Sequence, residues 1–191
     1  MGQINTIGAL KQAAGLVFAD ISASCRSCAF PDCQGYPWVV PAEEDELLAA
    51  GLQLVQLNGD SGPIYLDTFP RDAAGRLVLG AAGPTCPYRG QDGRCTVHAA
   101  RPLTCHLYPL SLELVDGVPH WAVHRDCEFV QRAISADRFG ALTDELRSIV
   151  DRIGPELRGQ LAVTLERTAS VSRLTHMDCY TVIAAVAEPV R

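Results

Sequence analysis

Eight cysteines in a chain of 191 residues narrow the possible folds more than any other feature. An even count raises a disulfide framework first, but such frameworks staple short secreted chains that cannot bury a core. This chain is 48% hydrophobic, enough for a core of its own, and it opens Met-Gly-Gln-Ile-Asn. That start lacks the cationic residues and small-residue cleavage pattern of an export signal. Cysteines acting as small buried hydrophobes would sit in apolar runs. Here they stand beside Pro, Gly and Arg instead. Metal or iron–sulfur ligation in a reducing compartment, the cytoplasm, is the expectation.

The charge balance limits the partners. A formal net charge of -6 and a pI near 5.3 leave no basic face for tracking a phosphate backbone, so no nucleic-acid partner is expected. No apolar run reaches the roughly 18–20 residues that span a bilayer, so no membrane partner is expected either. Of 16 basic residues, Lys11 alone is a lysine.

Along the chain, residues 4–20 read as an amphipathic helix leading into a loop with Cys25, Cys28 and Cys33. Pro41 and the acids from Glu43 to Glu46 predict a helix start, with Glu43 and Glu44 as solvated caps and a stop at Gly51. Strands are expected over 52–57 and 63–69, on either side of a turn at 58–62, and over 76–79. Residues 83–109 read as loop. Asp116-Gly117 predicts a hairpin between 110–115 and 119–123. From Asp137, Phe139, Leu142, Leu146, Ile149 and Ile153 recur at helical spacing, Gly154-Pro155 breaks the run, and a second helix is expected over 156–174. The expected fold is α+β: a small cysteine-rich, metal-organised domain of short strands and loops over 1–135, with two C-terminal helices over 136–191 packed on it.

The cysteines are spaced C-x2-C-x4-C, then after 52 residues C-x8-C-x9-C, and after 21 more Cys127. Clustered loop cysteines suit tetrahedral zinc or iron–sulfur ligation, and Pro87, Gly90, Gly93 and Pro102 suit the tight bends such loops need. Arg26, Arg94 and Arg125 lie within two positions of cysteines, where they either offset thiolate charge or are simply solvated.

Cys25-Arg-Ser-Cys28 followed by Cys33 resembles the opening of the CxxCxxCC cysteine-cluster proteins, the YkgJ-type family. The run from Cys86-Pro-Tyr through Asp92-Gly-Arg-Cys95-Thr-Val-His98 to Arg101-Pro-Leu-Thr-Cys105-His-Leu-Tyr108 is similar to that family's central signature, and Cys127 to its closing cysteine. The resemblance covers about residues 25–130. It implies a zinc- or iron-chelating domain whose ligands are Cys25, Cys28, Cys33, Cys86, Cys95, Cys105 and Cys127. Flagellin lysine N-methylases are similar in this region, which implies that an enzymatic context exists for such clusters. The chain departs from the pattern in two ways. Cys33 stands where the family has two cysteines, and His98 and His106 replace a Tyr and an Arg, so either histidine could supply a lost ligand.

Seven thiols do not divide into two four-cysteine sites. They fit a zinc pair sharing a thiolate, a four-cysteine site beside a three-cysteine site completed by histidine, or a [4Fe–4S] cluster held by four. Cys179, three residues after His176, is a candidate eighth ligand, whereas His120 and His124 read as hairpin surface. No Gly-rich phosphate loop, G-x-S-x-G or H-E-x-x-H motif is present. Two functions follow as expectations. One is a metal-binding scaffold or accessory factor acting on a protein or peptide partner. The other is a metal-dependent enzyme modifying a peptide or protein side chain.

Overall fold

The structure, a computed structural model, describes residues 2–27, 36–59, 61–79, 86–168 and 179–186. Thr6 opens the first helix, its hydroxyl accepting the Ala9 N–H at 3.2 Å, and α1 runs Ile7–Val17. The single helix expected over 4–20 is therefore two, because the chain turns at Phe18 and resumes as α2, Ile21–Ser27. Cys25 lies in α2, not in a loop. No Gly or Pro interrupts 21–27, so nothing local stops the helix short of it.

A 3₁₀ turn, Pro41–Glu43, leads into α3, Glu44–Ala49, which ends before Gly51 at φ 80° as its sequence predicts. The expected strand pair is β2, Leu54–Gln56, and β3, Ile64–Leu66. A strand not anticipated, β1 at Trp38–Val39, flanks β3 on its other edge, giving the antiparallel order β1-β3-β2. Segment 76–79 makes one bridge, Arg71 to Leu77, and is not a full strand. Asp72 explains this, since its carboxylate accepts the Ala74 and Arg76 N–H groups at 2.9 Å each and satisfies that backbone locally.

The loop expected over 83–109 holds a short helix, α4, Leu103–Leu107. Next comes the expected hairpin, β4, Leu110–Val115, and β5, Val118–His124, turning through Asp116 and Gly117, both at positive φ. Cys127 stands at the N-cap of α5, Glu128–Ser135. The two expected helices are α6, Phe139–Val150, and α7, Pro155–Thr168; the stretch 169–174 expected to continue α7 lies outside the described residues. The chain then returns as β6, Tyr180–Ala185, pairing antiparallel with the free edge of β5.

The architecture is thus α+β, with two small antiparallel sheets among seven described helices. One buried cluster joins residues from Ile4 and Leu10 through Trp121, Leu146 and Leu161 to Val186. A smaller one, with Val39, Leu47, Leu52, Ile64 and Leu66, lies at the first sheet. Among the described residues no helix is long and apolar enough to cross a membrane.

Candidate metal centre

Residues 86–96 form a compact ribbon. Gly90 N donates to the Arg94 carbonyl at 2.7 Å, Thr96 N to the Tyr88 carbonyl at 2.8 Å, and Arg89 bridges to Cys95. Gly93 takes φ 77°, where a side chain would be strained. The ribbon brings the backbone N–H groups of Tyr88 and Arg89 close to the half-buried Cys86 thiol, and Arg89 N donates to the Cys86 carbonyl at 3.0 Å. Cys95 lies near enough for its charge to act on Cys86. Burial pushes the Cys86 thiol up, the two N–H donors pull it down, and Cys95 adds to the rise. Cys86 and Tyr88 pack on the core of the first sheet, and the Tyr88 hydroxyl accepts the Gln53 N–H at 2.6 Å.

The other predicted ligands are spread over helices. Cys25 is exposed on α2, Cys105 is half-buried on α4, and Cys127 is buried before α5. None of Cys25, Cys86, Cys95, Cys105, Cys127 and Cys179 is in a disulfide. Cys28 and Cys33 lie outside the described residues, as does His176. Among the described residues the structure brings Cys86 and Cys95 together, and it does not join either with Cys25, Cys105 or Cys127 into a three-donor group.

The histidines separate into distinct environments. His98 Nε2 is 2.8 Å from the Arg101 guanidinium, so it makes an internal contact. His106 bonds to the Ala99 backbone, and its buried Nε2 has no partner. Burial, with the Arg101 and Lys11 charges, pushes the His106 imidazole down to about 4. His106 lines a pocket of about 290 Å³ with Lys11, Phe18, His98 and Arg101. His120 bonds the Val118 carbonyl at 2.8 Å, a hairpin contact as its sequence position suggests.

His124 departs from the hairpin-surface reading. His124, Asp126 and Cys179 each offer a ligand atom, all within 4.8 Å of one another. The spacing alone could not reveal this trio, because Cys179 reaches it through β6, which places Tyr180 opposite His124. Tyr108 Oη is 2.9 Å from His124 Nδ1, and the Tyr180 ring lies 4.8 Å from the imidazole. Glu113 shares this face of the sheet by alternation. Burial pushes its carboxyl up to about 7, against a hydrogen bond from Ser111 and the charge of His124.

A positioning residue also escaped the sequence reading. Glu43 is fully buried rather than a solvated cap, and it pairs with Lys11 at 2.8 Å. Its carboxylate accepts the Leu103 N–H at 2.9 Å, so it tethers the first residue of the helix that carries Cys105. A lone lysine and a buried acid sixty residues before that helix give no local signal.

In comparisons with family models, curated proteins and solved structures, the chain matches none. The donor chemistry is the remaining test. Two thiols near enough to act on each other, one with two backbone N–H groups close to it, fit thiolate ligation of zinc or an iron–sulfur cluster.

Proposed function

We propose that this chain is a metal-binding protein that chelates zinc or an iron–sulfur cluster through its cysteines. The expected ligands are Cys86 and Cys95 together with members of the set Cys25, Cys28, Cys33, Cys105 and Cys127. The reading includes a metal-organised cysteine region, a reducing compartment such as the cytoplasm, and a protein or peptide partner served as scaffold or accessory factor. One observation carries it: the half-buried Cys86 thiol has the Tyr88 and Arg89 N–H groups close to it, and Cys95 lies near enough for its charge to act on it. A neutral thiol gains little from two N–H donors, whereas a metal-bound thiolate is stabilised by both. Burial alone disfavours the free thiolate here, so a cation is what would hold the charged form in place.

The bound group would supply structural cross-linking or, for a cluster, electron transfer. The chain's own part is to hold the thiolates and to limit the access of water to Cys86, which packs against the core of the first sheet. The test is the absorption spectrum of protein purified without oxygen, with zinc, iron and acid-labile sulfide measured on the same sample. Bound metal that falls sharply in Cys86→Ser and Cys95→Ser supports the reading. Metal-free protein, or metal unchanged in both variants, overturns it.

A further inference from the structure

We propose that His124, Asp126 and Cys179 form a second, mixed-donor site for a single divalent transition-metal ion, separate from the Cys86–Cys95 pair.

The trio draws its atoms from chain segments more than fifty residues apart, joined by bonds that leave little slack. Arg125 N donates to the Cys179 carbonyl at 2.7 Å, which clamps the end of β5 to the start of β6. Gln131 Nε2 donates to the Arg125 carbonyl at 2.7 Å, and Cys127 N closes on the His124 carbonyl at 3.4 Å. The turn holding Asp126 is therefore pinned from both sides. Exposed carboxylates alone would mean little, but here the half-buried His124 is already oriented. The Tyr108 hydroxyl, 2.9 Å from Nδ1, holds the imidazole in place from outside the trio. The Tyr180 ring packs on the imidazole with ring centroids 4.8 Å apart.

One imidazole, one carboxylate and one thiolate select the occupant. Calcium and magnesium prefer all-oxygen shells, and copper(I) prefers sulfur. Zinc(II), iron(II) and cobalt(II) accept all three donor types. Two anionic ligands balance the dication, so the site needs no further counter-charge. Three protein ligands leave a fourth position for water or a substrate atom, as in catalytic rather than structural zinc sites. The site does not depend on the cysteine-pair reading, and each can fail alone.

The probe is cobalt(II), titrated anaerobically into the metal-stripped full chain and read by its thiolate charge-transfer and d–d absorption. In a Cys86→Ser/Cys95→Ser variant, one equivalent should still bind with a thiolate band. Adding Cys179→Ser should abolish that band, and adding His124→Ala should lower affinity on the order of 100-fold. Tyr108→Phe, which leaves all three ligands in place, should weaken binding about 10-fold by releasing the imidazole. A thiolate band that survives Cys179→Ser, or unchanged affinity in His124→Ala, overturns the site. If the double variant does not fold, Cys179→Ser and His124→Ala in the otherwise intact chain should each remove one equivalent, and an unchanged stoichiometry overturns it. Loss of cobalt confined to Cys86→Ser and Cys95→Ser leaves the cysteine-pair reading standing and this one refuted.

Discussion

Single residues here carry chemistry that their neighbours in sequence do not announce. The tight turn after Cys86 could be read from its Pro and Gly setting, because such turns are local structures written in local residues. Glu113 could not, since alternation along β4 shows its face but not that the face is covered. Its carboxyl is raised from 4.5 to about 7, so it contributes stability that is fully present below about pH 4.5 and is lost as pH rises through 7. In that window the unfolded chain gives up its proton first, at up to about 1.4 kcal/mol per pH unit, for about 3 kcal/mol at most. Glu113→Gln removes the titration. With a chelator present, the stability of Glu113→Gln minus that of the parent should be flat below about pH 4.5, rise, and level off above about pH 7. A difference that does not change with pH would show that the carboxyl is already solvated in the folded protein.

At the scale of elements, those with strong periodicity or turn chemistry were legible. The α6 stripe, the Gly154-Pro155 break and the Asp116-Gly117 hairpin each follow from residues within a few positions. The short elements that depend on partners were not. Two-residue β1 exists because β3 offers an edge, and β6 because β5 does. Five-residue α4 is too short to hold itself and is tethered by a distant acid. Glu43 thereby joins α1, through Lys11, to the helix bearing Cys105 and His106. Glu43→Gln keeps the acceptor for Leu103 but strands the Lys11 ammonium, which is 12% exposed, and should cost about 3 kcal/mol. Adding Lys11→Met removes the stranded charge and should recover most of that loss. The check is a double-mutant cycle by urea denaturation. A double variant no more stable than Glu43→Gln alone would mean that the ion pair is not what holds the two helices together.

For the molecule as a whole, what sequence could not convey is which apolar face meets which. The stripe of Leu142, Leu146 and Ile149 predicts a helix packed on the rest of the chain, and these residues share one core with Leu10, Leu107 and Trp121. The polar bonds cross the same line. Ile4 N donates to the Arg152 carbonyl and Gly154 N to the Ile4 carbonyl, each at 2.8 Å, so the start of the described chain is fastened to the α6–α7 turn. Tyr65 Oη donates to the Thr168 carbonyl at 3.2 Å. A fragment of residues 1–135 would expose the apolar faces that α6 and α7 cover and would leave β5 without β6. Such a fragment should show no cooperative urea transition and no near-ultraviolet dichroism from Trp121, whereas the full chain should unfold in one step. If residues 1–135 unfolded cooperatively with that Trp121 signal intact, the helices would be an appendage, and the cysteine region would hold its shape without them.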